Sequence, residues 1–343
     1  ILFGIAPCAV ALSQSRRDLF RLFLKRSSGS PRLERKPLSV ERTKGSEILF
    51  GIAPGAAAPR GPKAMARGVP VHHVERRELD ALCRGQVHQG VCLEATPLRF
   101  KSLEEAEKPD LGDEESPNRQ LVWLVLEEIQ DPMNLGALLR SAYFLGVDRV
   151  VTSRRNSCPL TPTVSKASSG AMEAFDVYST DDLRSFLKAK TAEGWEVVGT
   201  VSKPEDVENV PVISCSEFRW NKPILIVIGE LNKVLVTALT MQAASPERLQ
   251  PVCMGSRLLA RRLLVQGSWH SGYEALRFTL CVQACCTGNE GDGLSLETQL
   301  LCHRMLAIPP GRALHPGIES LNVSVATGIL LHSICSRKLS DGD

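Results

Sequence analysis

The sequence predicts an α/β fold built on a parallel sheet. A continuous apolar run, Leu121 to Leu126 (LVWLVL), is typical of a strand that is buried on both faces of such a sheet. After this run, residues that would share one face of a helix recur at i, i+3, i+4, i+7 and i+8: Leu135, Leu138, Leu139, Ala142 and Tyr143. Gly146 is placed to end this helix, and Asp148 to Thr152 reads as the next strand. Together these segments form one βαβ unit.

Further elements extend this unit into an open sheet. Strands are predicted at Glu196 to Thr200 and at Ile224 to Gly229, with a helix near Asp181 to Ala192 before them. Sheets of this kind bind ligands at the C-terminal ends of their strands. Asn134 lies at the start of the first helix and Arg140 one and two-thirds turns later, so both are expected near that edge. An Arg at that edge of the sheet is suited either to binding a phosphate or to forming a surface ion pair.

Length and composition narrow the class of protein. A chain of 343 residues with 43% hydrophobic content predicts two globular domains with a substantial core. No run of about twenty uncharged apolar residues occurs, so a membrane-spanning helix is not expected. Eleven cysteines without a paired CxxC framework indicate reduced thiols, and no metal site is predicted. No GxGxxG or GxxxxGK[ST] follows a predicted strand, which disfavours dinucleotide and P-loop enzymes.

Charge is unevenly distributed along the chain. Residues 1–77 contain fifteen Lys or Arg against five Asp or Glu, whereas residues 101–120 contain seven acidic residues against three basic ones. This pattern predicts a cationic domain followed by an acidic linker. Nucleic acid is the natural partner of such a domain, because cationic side chains that neutralise phosphates release counterions. A solvated basic surface or a targeting segment is the alternative.

The N-terminal part contains an exact internal repeat. The heptapeptide ILFGIAP occurs at Ile1 to Pro7 and again at Ile48 to Pro54. Each copy resembles a buried strand, and only one copy is expected to occupy a central position in a sheet. Ala9 to Arg26 is predicted to form an amphipathic helix, and Ser27 to Lys44 is expected to be loosely ordered.

A small α/β domain is predicted after the repeat. Val69 to Val74 reads as a strand, Glu75 to Arg84 as a helix and Gln86 to Ala95 as another strand. His88 in the last segment is interpreted as a structural residue rather than a ligand or an acid/base group.

One stretch near the C-terminus allows two interpretations. Between Gly317 and Ala326, polar and apolar residues alternate, which suggests a strand. Small hydroxyl and amide side chains directly before the apolar run Ala326 to Ile334 also suit a helix N-terminus that offers backbone N–H groups to a ligand.

Three segments occur in a set order along the chain. The first comprises Asp131, Pro132, Asn134, Gly136, Arg140, Ser141, Ala142, Phe144 and Gly146. The second comprises Gly288, Asn289, Glu290, Gly291, Gly293 and Leu294. The third comprises Ile308, Pro309, Gly317, Ser320, Leu321, Asn322, Val323, Ser324, Val325 and Ala326. In this order they resemble the three motifs of the SpoU/TrmH family of RNA ribose 2′-O-methyltransferases.

The resemblance implies a fold and an activity. It implies a C-terminal trefoil knot that binds S-adenosylmethionine, and a homodimer whose active site uses both subunits. The preceding small domain resembles the family's ribosomal-protein-like substrate-binding domain. The implied reaction is 2′-O-methylation of a guanosine in mitochondrial large-subunit ribosomal RNA, in the mitochondrial matrix. The alternatives are a transfer RNA 2′-O-methyltransferase and a catalytically impaired isoform that only binds RNA or assists ribosome assembly.

The resemblance also implies roles for individual residues. The catalytic set is Asn134, Arg140, Ser320 and Asn322. An Arg is a poor simple base because its pKa exceeds about 12. Arg140 is therefore assigned phosphate binding and orientation of the hydroxyl first, with proton acceptance left open, while the other three position the reacting groups. The cofactor-binding set is Thr200, Gly288, Glu290, Gly291, Ile308 and Leu321. Lys166, in the segment SKASSGA, is either a phosphate contact or an ordinary solvated lysine.

These assignments divide the chain. We expect a loosely ordered segment at 1–47, an RNA-binding domain at 48–100, an acidic linker at 101–120 and a methyltransferase domain at 121–336. The family strand normally runs straight into its Gly-x-Glu turn, but here residues 230–287 intervene. Leu280 to Ala284 is an alternative for that strand. The insertion either loops out with its ends close together or prevents knot formation.

Overall fold

The computed structural model describes residues 6–14, 16–26, 47–50, 64, 66–83, 88–103, 120–202, 210–229, 293–315 and 320–338. All of them belong to one compact unit. The predicted insertion at 230–287 and the strand alternative at 280–284 lie outside the described residues. Within those residues, no helix has the length and apolar character needed to cross a membrane.

The larger sheet confirms the predicted α/β class, because every pairing in it is parallel. Its strands lie in the order β10-β12-β9-β11-β6-β7-β8-β5. Their bounds are β5 Lys101–Ser102, β6 Val122–Glu127, β7 Arg149–Ser153, β8 Val177–Thr180, β9 Glu196–Thr200, β10 Val212–Ser214, β11 Ile224–Gly229 and β12 Arg304–Ala307. The predicted strand Ile224 to Gly229 therefore takes a central place, between β9 and β6.

Helices follow the strands of this sheet. They are α3 Pro132–Phe144, α4 Pro162–Ala167, α5 Ala171–Ala174, α6 Leu183–Ala192, α7 Leu296–Gln299 and α8 Val323–Lys338. The apolar face predicted for α3 is buried at Leu135, Leu138, Leu139 and Ala142. Tyr143, predicted for the same face, is 54% exposed, and it lies one residue before the end of the helix.

A smaller mixed sheet lies in the N-terminal part, with strands in the order β2-β4-β1-β3. The elements around it are α1 Ala6–Ser13, β1 Leu19–Lys25, β2 Glu47–Phe50, β3 Val71–Val74, α2 Arg76–Leu82 and β4 Val91–Ala95. The predicted strand, helix and strand between residues 69 and 95 are confirmed with shorter bounds. His88 is structural as predicted, because its ring nitrogens contact Asp80 Oδ1 (3.0 Å) and the Gly90 N–H (2.8 Å).

One N-terminal prediction is wrong, and another is tested for one copy of the repeat only. The helix expected over Ala9 to Arg26 ends at Ser13, and β1 pairs with β3 on one side and with β4 on the other. Leu22 and Phe23 are adjacent and both buried, which a central strand permits because its two faces are both covered. The second ILFGIAP copy contributes β2 at an edge rather than a central strand. Residues 1–5 of the first copy lie outside the described residues.

The predicted segment boundaries also change. Within the predicted segment 1–47, residues 19–25 are not loosely ordered, because they form β1, a central strand of the small sheet. The predicted linker begins with β5, which joins the large sheet beside Tyr178 and Ser179. The stretch expected to be loose at 27–44 lies outside the described residues.

Candidate active site

Three neighbouring strands end at one edge of the large sheet. Thr200 is the last residue of β9, Gly229 of β11 and Ala307 of β12, and the register pairs Leu306 with Thr200. Thr200 Oγ1 donates a hydrogen bond to Val227 O (3.2 Å), which ties β9 to β11 at this edge. The backbone groups at the strand ends therefore converge where open α/β sheets bind their ligands.

A tight turn at Gly293 packs against these strand ends. Gly293 has φ +79°, a backbone conformation that residues other than Gly rarely adopt. A Cβ added to Gly229 would lie 3.1 Å from Gly293 O and 3.0 Å from Leu294 Cδ2. A side chain at position 229 would therefore require the turn to move away from the sheet by a few tenths of an ångström.

Three of the six predicted cofactor residues belong to the described part of the chain. Thr200 lies on the strand edge, Ile308 directly follows β12 and packs against the main core, and Leu321 is exposed just before α8. Gly288, Glu290 and Gly291 lie outside the described residues.

Asn134 and Asn322 lie in direct contact. Asp131 caps α3 by accepting hydrogen bonds from Met133 N (3.0 Å) and Asn134 N (3.4 Å), and this places Asn134 in the first helical turn. Asn322 Nδ2 donates to Asn134 Oδ1 at 3.1 Å. Asn322 Oδ1 accepts from the N–H (3.0 Å) and the hydroxyl (2.6 Å) of Ser324, which orients the amide.

These contacts decide between the two interpretations of residues 317–326. A helix, α8, begins at Val323, and the Ala326 N–H donates to Asn322 O. Asn322 therefore caps a helix, and the strand interpretation is wrong for residues 323–326. Residues 316–319 lie outside the described residues.

Arg140 and Ser320 are both exposed. Arg140 lies six residues beyond Asn134, about 9 Å along the axis of α3. Among the described residues, no hydrogen bond or ion pair to the Arg140 guanidinium is present. The chain thus joins Asn134 to Asn322 and leaves Arg140 exposed to solvent.

Two further residues differ from expectation. Lys166 is only 3% exposed, so it is neither a solvated lysine nor a surface phosphate contact. Burial lowers its pKa to about 7. Glu127, to which sequence analysis gave no role, is buried at the end of β6 and accepts hydrogen bonds from Ser295 and Thr298. The sequence signal for Glu127 is an acidic residue at the end of an otherwise apolar strand.

Comparison with known proteins identifies the family. Residues 121–239 match the SpoU rRNA Methylase family, and residues 61–101 match the family described as RNA 2′-O ribose methyltransferase substrate binding. The human protein named rRNA methyltransferase 1, mitochondrial, is 42% identical over 342 residues, covering 98% of this chain and 73% of the human protein. The chain belongs to the SpoU rRNA methylase family.

Other relatives of this SpoU family member are more distant. The Dictyostelium discoideum protein of the same name is 29% identical, covering 78% of this chain and 42% of that protein. RlmB of Vibrio cholerae, named 23S rRNA (guanosine-2′-O-)-methyltransferase, is 34% identical over 46% of this chain and 61% of its own length.

Solved structures share the fold of this family member. The SpoU methyltransferase AviRb of Streptomyces viridochromogenes, solved with AdoMet, superposes with a TM-score of 0.54 at 14% identity, covering 98% of this chain and 89% of AviRb. The AdoMet-bound rRNA methyltransferase of Sinorhizobium meliloti gives 0.55 at 16% identity, covering 98% and 86%.

Proposed function

We propose that this SpoU family member transfers a methyl group from S-adenosylmethionine to the ribose 2′-hydroxyl of a guanosine in mitochondrial large-subunit ribosomal RNA. The Asn134–Asn322 hydrogen bond carries the proposal, because it unites two predicted catalytic residues beside the strand edge. The names of the human and Vibrio relatives supply the substrate class and the compartment. Relatives matched over most of the chain are named rRNA methyltransferases, so a transfer RNA substrate is not favoured.

The strand edge has the character that this cofactor requires. S-adenosylmethionine supplies a methyl group on a positively charged sulfur when it is bound. Peptide groups at Thr200 and Ile308 suit the polar edge of an adenine ring, and exposed Leu321 offers an apolar contact. Gly288, Glu290 and Gly291 complete the proposed set. We further propose that the C-terminal part forms the family's trefoil knot around this site.

The side chains position the nucleophile. Asn134 and Asn322 hold the ribose and its 2′-hydroxyl in line with the methyl group, and such near-attack positioning is a large part of catalysis. Ser320, an exposed hydroxyl, supports this positioning. Arg140 binds the adjacent RNA phosphate through its planar, permanently charged guanidinium and thereby orients the hydroxyl.

Methyl transfer to ribosomal RNA tests these roles. Arg140→Ala is expected to lower kcat/KM at least about 100-fold, since a charged contact to the substrate is lost in the transition state. Lys188→Ala removes an exposed cation from α6 and serves as the matched control, with activity unchanged. Equal labelling by Arg140→Ala and the parent protein would remove Arg140 from the site. Absence of labelling by the parent protein would overturn the proposed function.

We also propose that the enzyme is a homodimer. Three large apolar side chains, four residues apart, are exposed on α8 and just before it: Leu321, Val325 and Ile329. Phe144, at the end of the adjoining α3, is 84% exposed. A face of this kind is typical of an interface. Arg140 of one subunit, which has no hydrogen-bond or ion-pair partner among the described residues, would then serve the Asn134–Asn322 pair of the other.

Oligomeric state and complementation test the dimer. Val325→Glu is expected to shift the protein to monomer by light scattering and to abolish methyl transfer. Mixing Arg140→Ala with Asn322→Ala subunits is expected to restore partial activity, because a mixed dimer retains one site with both intact residues. A fully active monomer would contradict the proposal.

The N-terminal part is proposed to bind the RNA. Residues 61–101 match the substrate-binding family, and the small sheet also includes the strand Leu19–Lys25. We therefore propose that residues 6–26 belong to this RNA-binding domain together with residues 48–100, and that the fold resembles a ribosomal protein. Deletion of residues 1–26 is expected to unfold the domain rather than merely shorten it.

A further inference from the structure

The carboxylate of Glu127 joins distant parts of the chain. Glu127 is the last residue of β6, is 7% exposed and lies opposite Gly229 in the sheet register. Its Oε2 accepts from Ser295 N (3.0 Å), and its Oε1 accepts from Ser295 Oγ (2.7 Å) and Thr298 Oγ1 (2.6 Å). A single buried side chain therefore accepts three hydrogen bonds from residues that lie 168 and 171 positions later.

The residues held by Glu127 adjoin the tight turn at the strand edge. Ser295 caps α7, and its hydroxyl also accepts from Thr298 N (3.3 Å). Ser295 follows Gly293 and Leu294, which pack against Gly229. Fixing Ser295 therefore fixes the turn relative to the ends of β9 and β11.

A carboxylate is the suitable group for this task. Both of its oxygens accept hydrogen bonds, so it satisfies a backbone N–H and two hydroxyls together. Hydrogen bonds to a charged acceptor are stronger than neutral ones. An amide in the same position would turn an N–H₂ toward one set of donors and leave them unsatisfied.

We propose that Glu127 is a positioning residue that holds the Gly293–Ser295 turn in the conformation that binds S-adenosylmethionine. The inference rests on the proposed function, since it assigns a use to the same strand edge. Glu127 acts through Ser295 and Thr298 and has no direct role in methyl transfer. Its loss is expected to weaken cofactor binding more than it slows the reaction at saturation.

Three variants test this role. Glu127→Gln is expected to raise the Kd and the KM for S-adenosylmethionine by about tenfold or more, which corresponds to the loss of one charged hydrogen bond, while kcat at saturating cofactor falls less than threefold. Glu127→Asp keeps two acceptor oxygens and is expected to restore part of the affinity. Ser295→Ala removes one donor and is expected to give a smaller increase in Kd, even if Glu127→Gln fails to fold.

Glu196→Gln is the matched control. Glu196 is another mostly buried carboxylate of the same sheet, paired with Arg304 at 2.5 Å, but it lies at the opposite ends of β9 and β12. Its replacement is expected to lower the melting temperature without changing the KM for S-adenosylmethionine. If both variants change Kd and melting temperature alike, Glu127 is merely a stabilising residue and the inference fails.

Amide hydrogen exchange adds a readout that needs no cofactor. Glu127→Gln is expected to speed exchange at Ser295 and through α7, with β6 and β11 unchanged. Unchanged exchange at Ser295 would overturn the anchoring role. If the parent protein methylates RNA but Glu127→Gln binds the cofactor normally, the inference fails and the proposed function stands. If the parent protein binds no S-adenosylmethionine, both fail.

Discussion

The side-chain amide of Asn322 donates to Asn134 Oδ1 at 3.1 Å although 188 residues separate them. The same Asn322 caps α8 through its other amide atom. Because the two tasks use different atoms, they are separable by substitution. This contact joins the starts of two helices beside the proposed cofactor edge, so both the stability of α8 and the geometry of the site depend on it.

Asn322→Asp should separate the two tasks. Asp keeps the oxygen that accepts from Ser324 but loses the N–H₂ that donates to Asn134. We expect methyl transfer to fall while the free energy of unfolding changes by less than about 1 kcal/mol. Asn322→Ala loses the cap as well and is expected to destabilise by about 1–2 kcal/mol. Chemical denaturation and methyl-transfer kinetics on both variants check this, and equal stability losses would contradict it.

Removing Arg17 should destabilise the protein strongly. Arg17 and Glu173 have side chains only 1% exposed and form a paired contact, Nε to Oε2 at 2.7 Å and Nη2 to Oε1 at 2.9 Å. Arg17→Met would leave the Glu173 charge buried, at a cost of about 3–5 kcal/mol. The exposed pair Arg154–Asp181 is the control, and Arg154→Ala is expected to cost less than about 1 kcal/mol. Similar losses in denaturant unfolding would refute the prediction.

Two helical glycines should respond oppositely to alanine. A Cβ at Gly136 would lie 2.4 Å from Ala167 Cβ and 2.7 Å from Val164 O, so Gly136→Ala is expected to cost about 1–3 kcal/mol by overpacking α3 against α4. At Gly328 the nearest atom is Ser141 Oγ at 3.9 Å. Gly328→Ala is therefore expected to gain up to about 1 kcal/mol from helix propensity. The melting temperatures of both variants, compared with that of the parent protein, measure these changes, and shifts in the same direction would contradict the prediction.

The sequence predicted the large sheet better than the small one, for a physical reason. Ile224–Gly229 and Val122–Glu127 are continuous apolar strands whose burial on both faces is visible locally. The sequence of Leu19–Lys25 predicts part of a helix, because Leu19, Leu22 and Phe23 also fit a helical spacing. Its strand conformation depends on partners about 50 and 70 residues away, which no local pattern contains.

For the candidate site, too, local motifs are readable from the sequence, whereas long-range contacts are not. Motif resemblance identified Asn134 and Asn322, but their contact is long-range and became visible only in the fold. Glu127 was overlooked because an acidic residue at a strand end reads as the start of a polar turn, and its partners lie beyond position 290. The segment around Lys166 is rich in small polar residues, which indicates an exposed position, whereas in the fold Lys166 is buried.

Lys166 should make stability depend on pH. Burial lowers its pKa in the folded protein to about 7, from an ordinary value of 10.5. Between these values the unfolded chain binds more protons than the folded one, so stability rises with pH from about 7 to 10.5. Below about pH 7 both states are protonated, and the cost of the buried charge is present in full. Lys166→Met is expected to remove this rise. Denaturant unfolding at pH 6.5 and pH 9 measures it, with exposed Lys188→Met as the control, and an identical pH dependence in all three proteins would contradict the assignment.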